Sequence, residues 1–305
     1  MSDTLKFHTV DVFTTKRFAG NPLAIVDDAD ALTTPQMQAI AREFNLSETI
    51  FVLSPQYAAH SAKVRIFFPT AETPFAGHPT IGCAIHLALK ANPGDGDFET
   101  LITLEEGAGL VPVRAWRKGG VVGAQFTAPV IPHAGGGKDP VAAMVASALG
   151  LDVSAIGFSR HKPAQWQGGA HCLFVPVGDV ADLKAARPCE PAWSQMVSHV
   201  GADLVYVYTR DPAAVPGIYN SRMFAPTVGI PEDPATGAAS AILAAQLLAS
   251  GELQEGLNSF SLRQGYEMGR PSYIGLEIDV LAGRISAVRI AGSSVKVSQG
   301  QIAVA

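Results

Sequence analysis

One sequence pattern occurs twice in the chain, at a constant offset of 157 residues. The first copy is Arg65–Thr70, with the sequence RIFFPT, and the second is Arg222–Thr227, with the sequence RMFAPT. Each copy leads through a short turn into an alanine-rich apolar segment, His78–Lys90 in the first case and Ala235–Ser250 in the second. A repeat at this spacing indicates two halves of one architecture, each of about 150 residues. The place where two such halves meet is the first place to look for a functional site.

The composition is that of a well-buried globular protein without a nucleic-acid or membrane partner. Hydrophobic residues make up 48% of the chain, charged residues only 16%, and the net charge of −5 comes without a basic run, so the charge pattern that nucleic acid requires is absent. Met1–Lys6 has no apolar signal core, and the most apolar stretch, Ala235–Ala249, contains polar residues and is too short to span a bilayer. The three cysteines are too few and too scattered for a disulfide framework or a zinc site. We therefore expect a cytoplasmic protein with free thiols and no bound metal.

Strand patterns outnumber helix patterns along the chain. A capping-box spacing at Thr33–Gln36, with Pro35 at the first helical turn, predicts a helix with one apolar face, and Pro140–Leu149 is a second predicted helix. The segment Gly135–Asp139 is typical of a linker. Runs of β-branched and aromatic residues predict strands at 5–13, 24–26, 50–53, 63–68, 204–208, 273–280, 284–290 and 294–297.

The apolar segments that follow the two repeats predict helices of a different kind. His78–Lys90 and Ala238–Leu248 are apolar on nearly every side, which is typical of a helix that is buried all round. Together with the many strands, they predict an α+β fold in which a curved sheet wraps one central helix in each half.

The starts of these two helices are candidate anion-binding sites. A helix leaves its first N–H groups without intrahelical acceptors and carries partial positive charge at that end. The starts at Gly77–Thr80 and Pro234–Gly237 predict a paired cradle for an anion. A carboxylate is favoured, because neither a phosphate-type glycine motif nor an arginine cluster accompanies them. The alternative interpretation is that these Gly, Pro and Thr residues serve only as turn and cap residues.

Three side chains are candidate acid–base groups. Glu48 enters an apolar strand pattern, and desolvation in an apolar cleft raises the pKa of a carboxyl group until it serves as a general acid or base. The alternative for Glu48 is helix capping, because Asn45–Glu48 has capping-box spacing, although the residues after it are typical of a strand. Asp233 has the spacing of a helix N-cap and His78 is equally typical of a helix start, so spacing alone leaves both roles open.

Five motifs occur in order along nearly the whole chain. They are 18–22 (FAGNP), 47–52 (SETIFV), 74–80 (PFAGHPT), 232–237 (EDPATG) and 264–272 (QGYEMGRPS). Together they resemble the motifs of the phenazine-biosynthesis PhzF-like family. The resemblance implies a diaminopimelate-epimerase-like fold with two pseudo-symmetric halves, each a curved sheet or barrel around a central helix, and a site in the cleft between them. It also implies that the last strand returns to the first domain, which predicts one domain of residues 1–128 with 290–305 and a second of residues 129–289.

The resemblance further implies a cofactor-independent isomerase that acts on a small unsaturated carboxylic acid. The namesake activity is isomerisation of trans-2,3-dihydro-3-hydroxyanthranilate, in which a proton moves from C3 to C1 of the ring. Carried over residue by residue, Glu48 is the proton shuttle, His78 and Asp233 are its polar partners, and the backbone amides of Gly77 and Gly237 hold the substrate. Family members are usually homodimers, so we expect a homodimer. Further substrate contacts are implied at Asn21, Pro79, Thr80, Thr236 and Ala238.

Two differences from related proteins bear on the reaction. Many family members carry Ser after the glycine of the second loop, where this chain has Ala238, and this difference concerns the choice of substrate. The related racemases and epimerases use one cysteine at each helix start, and the corresponding places here hold Ala76 and Asp233, which disfavours two-thiol chemistry. At the 157-residue offset His78 pairs with Ala235 and Asp233 with Ala76, so each half supplies one polar group that the other lacks.

Two alternatives to this isomerase stay open at the level of sequence. The first is epimerisation, or another proton transfer on a small carboxylic acid, with Asp233 as a base opposed to Glu48. The second is a metabolite-binding module in which Glu48 only hydrogen-bonds the ligand.

Overall fold

The first of two structural units is built from both ends of the chain. The computed structural model describes residues 4–210 and 216–304, and the chain separates into Met1–Pro129 with Ala291–Ala305 and, as a second unit, Val130–Ile290. Among the residues described, no helix is both long and apolar enough to cross a bilayer.

The secondary structure consists of seventeen strands and six α-helices within the described residues. The strands are β1 (Thr4–Val12), β2 (Asn21–Val26), β3 (Glu48–Leu53), β4 (Ala62–Phe67), β5 (Glu72–Thr73), β6 (Phe98–Glu106), β7 (Gly109–Lys118), β8 (Val121–Thr127), β9 (His133–Ala134), β10 (Ala164–Gln167), β11 (His171–Pro176), β12 (Leu204–Arg210), β13 (Ile218–Ala225), β14 (Ile230–Asp233), β15 (Gly256–Gln264), β16 (Ser272–Leu281) and β17 (Arg284–Ala303). The helices are α1 (Thr34–Phe44), α2 (Gly77–Ala91), α3 (Ala142–Leu149), α4 (Val180–Ala185), α5 (Ala192–Val200) and α6 (Gly237–Ala249).

Eight strands close into a barrel in the first unit. β1 lies between β17 and β2 and is antiparallel to both. The order continues through β3, which is parallel to β2, and β4, which is antiparallel to β3. β6 is parallel to β4, and β7 and β8 follow as antiparallel neighbours. Pairing of β8 with β17 closes the barrel, so the last strand of the chain completes the unit that the first strand begins.

α2 is the central helix of this barrel. It packs against six of the barrel strands, β1, β2, β3, β6, β7 and β8, and every residue from Gly77 to Ile85 is buried. Gly82 permits the close approach, because a Cβ atom there would lie 2.7 Å from Leu23 and 2.9 Å from Val12 side-chain carbons. A helix that is apolar on all sides is stable in water only when a sheet surrounds it, which is the arrangement the sequence predicts.

α1 packs outside the barrel and begins where the sequence predicts. The Thr33 side chain accepts from the Gln36 N–H while the Gln36 side chain accepts from the Thr33 N–H, which completes the capping box. Its apolar face, with Met37 and Ile40, packs in a cluster with Phe51 and other residues of the strands.

The second unit repeats the strand connectivity of the first. β10–β11, β12–β13 and β15–β16 are antiparallel neighbours, whereas β11–β12 and β13–β15 are parallel. The same alternation runs from β1 to β7 in the first unit. α6 packs against β9, β10, β11 and β16, and its residues Ala239–Leu247 are all buried. A separate cluster joins α3 and α5 to the strands through Val145, Trp193 and Met196.

The two copies of the repeat differ in length beyond their shared strand. α2 begins at Gly77 and α6 at Gly237, so the helix starts are 160 residues apart (237 minus 77) and not 157. The difference of three residues arises between Thr227, the last residue of the repeat, and Gly237. The pairing predicted from the constant offset, His78 with Ala235 and Asp233 with Ala76, is therefore wrong. Counted from the helix starts, the correspondences are His78 with Ala238 and Ala76 with Thr236.

Two further predictions need correction. The strands predicted at 284–290 and 294–297 are one continuous strand, β17. The predicted linker Gly135–Asp139 belongs to the second unit, where Gln165 donates from its backbone to the Asp139 carboxylate and from its side chain to the Lys138 carbonyl. These contacts hold the segment against β10, and a Cβ atom would lie 2.9 Å from Cβ of Gln165 at Gly135 and 2.5 Å from its Oε1 at Gly137, so these two glycines serve close packing.

Candidate active site

Glu48 is the first residue of β3. It follows α1 closely, because Asn45 adopts a left-handed conformation (φ 49°, ψ 34°) and ends that helix. The capping alternative for Glu48 is wrong, since Asn45 ends a helix and Glu48 begins a strand. Glu48 is 8% exposed and lies next to Leu23 in the parallel register with β2, so its side chain is buried at the start of a largely apolar strand.

His78, the second residue of α2, lies against this carboxyl group. Its Nδ1 is 3.3 Å from Oε2 of Glu48. Burial lowers the pKa of His78 to about 3, although a hydrogen bond to the Pro22 carbonyl acts in the opposite direction. The imidazole is therefore neutral near pH 7, and its contact with Glu48 is not an ion pair. Nε2 has no hydrogen-bond partner among the described residues, so the hydrogen bond to Pro22 assigns the proton to Nδ1 and leaves Nε2 as a buried acceptor.

The first turn of α2 has no side-chain cap. Ala76 occupies the N-cap position with extended backbone angles (φ −151°, ψ 134°) and makes no side-chain cap hydrogen bond. The N–H groups of Gly77 and His78 consequently face the helix start without a side-chain acceptor, while Pro79 has no N–H to contribute. Such a helix end favours an anion through its N–H groups and its dipole. Asn21, at the start of β2, is fully buried and precedes the Pro22 carbonyl that holds His78.

Thr80 connects the same helix turn to a buried carboxyl group that sequence reasoning did not single out. The Thr80 hydroxyl lies 2.8 Å from the Ala76 carbonyl and 2.7 Å from Oε1 of Glu106. Burial raises the pKa of Glu106 to about 8, so Glu106 keeps its proton at neutral pH. Thr80 has one proton, and a carbonyl can only accept. We therefore assign the Thr80 proton to Ala76 and the Glu106 proton to Thr80, which ties the N-cap of α2 to β6.

Replacing Glu106 by Gln should stabilise the protein increasingly as the pH rises from about 5 to about 8. The folded-state pKa of Glu106 is about 8 and its model value is 4.5. The stability associated with a raised pKa is complete below pH 4.5 and is lost as the pH approaches 8. Glutamine does not titrate, so the difference in unfolding free energy between Glu106→Gln and wild type should grow by about 3 kcal/mol over this range and then level off. Urea unfolding at a series of pH values measures it, with the exposed Glu43→Gln as control; a difference independent of pH would contradict the assignment.

The second unit contains the other predicted site residues. Asp233 ends β14 and is 7% exposed, and its Oδ2 accepts a hydrogen bond from the Thr236 hydroxyl. Thr236 is the N-cap of α6, but its side chain does not cap the helix, because it is engaged with Asp233. Asp233 is therefore not the N-cap. Gly237 is buried and Ala238 half-buried at the start of α6.

Gln264, at the end of β15, fixes this loop, and the sequence motif around it had no assigned role. Its side chain donates to the Asp233 carbonyl (2.7 Å) and to the Thr236 hydroxyl (3.0 Å) and accepts from the Thr236 N–H (3.2 Å). Gly265 follows with φ 76°, and a Cβ atom there would meet the Arg270 carbonyl at 2.4 Å and the Pro234 carbonyl at 2.7 Å. These contacts explain why the 264–272 motif accompanies the 232–237 motif.

The arginine of each repeat supports the loop before its central helix. Arg65 makes a two-bond contact with Glu72 of β5 (2.7 and 2.6 Å), and Arg222 makes the same contact with Glu232 of β14 (2.9 and 2.9 Å). The repeated arginine is thus a structural residue that holds the loop in place for the helix start. Its role was not predicted.

Two of the three cysteines of this chain are unsuited to acid–base chemistry at the helix starts. Cys83 lies inside α2 and is fully buried, and burial together with Glu106 and Asp27 raises the pKa of its thiol. Burial raises the pKa of Cys172 to about 12. Both thiols stay protonated at neutral pH, in line with the expectation against two-thiol chemistry.

The chain is similar to known proteins along nearly its whole length. A family model described as "Phenazine biosynthesis-like protein" matches residues 10–300. The chain belongs to this family. It is 41% identical to an uncharacterised isomerase of Mesorhizobium japonicum, covering 98% of this chain and 99% of that protein. It is 33% identical to the trans-2,3-dihydro-3-hydroxyanthranilate isomerase of Pseudomonas chlororaphis, covering 96% and 97%. The predicted membership in the PhzF-like family is confirmed, and the chain is an isomerase of that family.

Solved structures confirm the predicted fold class. A PhzF-family protein of Bacillus anthracis superimposes with a TM-score of 0.85 at 23% identity over 99% of both chains. A hydroxyproline epimerase of Agrobacterium vitis superimposes with a TM-score of 0.65 at 16% identity, covering 99% of this chain and 93% of the epimerase. At these identities the likeness concerns the fold alone, which is the α+β, diaminopimelate-epimerase-like fold expected for the PhzF-like family.

Proposed function

We propose that this PhzF-like protein moves a proton between two carbons of a small unsaturated carboxylic acid, with Glu48 as the single acid–base group. Glu48 as carboxylate takes the proton from one carbon, the electron pair left behind enters the adjacent unsaturation, and the double bond shifts. Glu48 as carboxylic acid then returns the proton to another carbon on the same face. Bonds and charges balance without an oxidant or reductant, so the proposal includes no cofactor.

The contact between Glu48 and the first turn of α2 carries this proposal. The carboxyl group of Glu48 begins a buried strand and lies 3.3 Å from the imidazole of His78, which is neutral near pH 7. The uncapped N–H groups of Gly77 and His78 give the negative charge of a substrate carboxylate, or charge that develops during the reaction, a place to bind. An acid and an anion site at one place are what a proton shift on a carboxylic acid requires.

We infer a more specific role for His78. The sequence analysis made it a polar partner of Glu48, and a neutral ring that carries its proton on Nδ1 offers only a lone pair at Nε2. Nε2 therefore accepts a hydrogen bond from a hydroxyl or amino group of the substrate. In this proposal the helix start provides the anion site and His78 selects substrates that carry a donor.

The remaining parts of the proposal rest on the family resemblance. They are substrate contacts from Asp233 and Thr236 of the second unit and assembly as a homodimer. Light scattering of the purified protein tests the dimer. Asp233→Asn, paired with Asp203→Asn as an exposed control, tests the contribution of the second unit through KM.

Retention of the migrating hydrogen tests the single-shuttle mechanism. Candidate unsaturated acids, including the compound named for the Pseudomonas chlororaphis enzyme, are deuterated at the position that loses hydrogen and converted in ordinary water. NMR of the product should show part of the deuterium at the new carbon, because one shielded carboxyl group carries it across. Complete washout at every turnover would argue against this mechanism. Incorporation of solvent hydrogen with inversion at one carbon would instead favour an epimerase. Binding of an acid without turnover of any acid would favour a ligand-binding module.

A further inference from the structure

A second cluster of polar side chains lies in the first unit, within a cavity that neither Glu48 nor His78 lines. His8 comes from β1, Asp27 directly follows β2, and His86 lies on α2. Nε2 of His86 is 3.1 Å from Oδ1 of Asp27, and Nε2 of His8 is 3.4 Å from Oδ2. One donor atom from each of the three residues lies within 4.8 Å of the other two. Asp27 itself is 3% exposed, so three separated segments converge on one buried carboxylate.

The cavity beside this cluster is large enough for an added ligand. It has a volume of about 660 Å³ and is lined by β1, the start of the Asp27 turn, one side of α2 and the last strand. Nδ1 of His8 is buried and has no hydrogen-bond partner among the described residues. The imidazole of His8 is thus held on one side only, by Asp27.

We propose that His8, Asp27 and His86 bind a divalent transition-metal ion of the zinc type, with its fourth coordination position open to the cavity. Two imidazoles and one carboxylate are a ligand set that Zn²⁺ accepts, and ligand atoms around tetrahedral zinc lie roughly 3.3 Å apart. Oδ2 of Asp27 lies 3.4 Å from Nε2 of His8 and 3.3 Å from Nε2 of His86, so two of the three separations already have this spacing. The ion takes the place between the carboxylate and the two Nε2 atoms, and each ring then carries its proton on Nδ1.

Lysines around the cavity determine what fills the fourth position. Lys90 Nζ is 3.8 Å from Oδ1 of Asp27, but its side chain is 58% exposed and can turn to solvent when the ion binds. Lys6 and Lys296 also line the cavity, and Asp28 is the other charged residue on its wall. These positive charges weaken the binding of a bare cation and favour an anionic fourth ligand, such as a hydroxide or a small carboxylate.

The sequence argument against a bound metal considered only the cysteines and not His8, Asp27 and His86. Positions 8, 27 and 86 have no spacing typical of a metal motif. Only the closure of the β1–β2 pair over α2 brings the three donors together.

Titration of chelator-treated, dialysed protein with Co²⁺ and then Zn²⁺ tests the site directly. We expect one equivalent of Co²⁺ per chain with an intense visible spectrum of the tetrahedral type, displaced by Zn²⁺. His86→Gln and Asp27→Asn should each weaken binding more than about 100-fold, because loss of a direct ligand exceeds the effect of losing a supporting residue. The exposed His199→Gln and the active-site Glu48→Gln should bind as the wild type does.

Three results would overturn the proposal. They are no saturable binding up to about 1 mM metal, a weak spectrum of the octahedral type, or an affinity that His86→Gln leaves unchanged. Circular dichroism and thermal unfolding establish that each variant is folded. If His86→Gln does not fold, His8→Gln at the more exposed end of the cluster replaces it with the same expected loss of affinity.

Discussion

Replacing Glu48 by Gln should lower kcat by about 10³-fold while leaving ligand binding within a few-fold of the wild type. General acid–base groups contribute typically about 10²–10⁴-fold, and in the proposed mechanism one group performs both transfers. Glutamine has the shape of glutamic acid, keeps hydrogen-bonding capacity beside His78, and has no proton to accept or return at a carbon. The measurement is turnover of a converted acid by NMR, together with its dissociation constant by calorimetry.

The exposed Glu43→Gln, on α1, is the matched control and should have wild-type activity. Retained binding with turnover lost supports catalysis by Glu48 and excludes a role limited to binding. If Glu48→Gln turns over at the wild-type rate, Glu48 has no catalytic role and the proposed mechanism fails. If binding and turnover fall together, Glu48 serves as a ligand contact and the proton shift requires another base.

Local sequence patterns predicted some local elements and missed others, such as β6, β7, β8, α4 and α5. The capping box at Thr33 fixed the start of α1, and the all-round apolar character of the segment after His78 predicted the buried α2. β17 shows the limit of local patterns. The sequence predicts two separate strands in this stretch, whereas closure of the barrel depends on the pairing of one long strand with β1 and β8. Such pairing joins residues almost a whole chain apart, and no short window records it.

The carboxylates of β6 show why the buried Glu106 could not be predicted from the sequence. Glu105 and Glu106 are neighbours at the end of one strand, so they point to opposite faces. Glu105 accepts hydrogen bonds from the backbone of Gln56 and Tyr57 at the surface, whereas Glu106 is buried against Thr80. Their order in the sequence does not say which face is the interior. The family resemblance, in contrast, brought Glu48 and His78 to one place although thirty residues separate them.

The two repeated arginines make the same contact with a glutamate at different degrees of burial. The Arg65–Glu72 side chains are 23% and 38% exposed, and those of Arg222 and Glu232 are 9% and 16% exposed. Arg222 also donates to three carbonyls at the end of α4, those of Leu183 (3.2 Å), Lys184 (3.1 Å) and Ala186 (2.7 Å). One guanidinium therefore closes a helix terminus and anchors the loop that carries Asp233.

Arg222→Met should lower the free energy of unfolding by about 3–5 kcal/mol, because it leaves the half-buried Glu232 carboxylate without its cation and the α4 carbonyls without a donor. Arg65→Met removes the same contact in the more exposed copy and should cost about 1 kcal/mol or less. Urea unfolding followed by tryptophan fluorescence compares the two variants. The double variant Arg222→Met with Glu232→Gln should recover part of the lost unfolding free energy, because it no longer contains the uncompensated carboxylate. Equal losses for the two single variants would show that the repeat, and not the burial of its second copy, sets the strength of the contact.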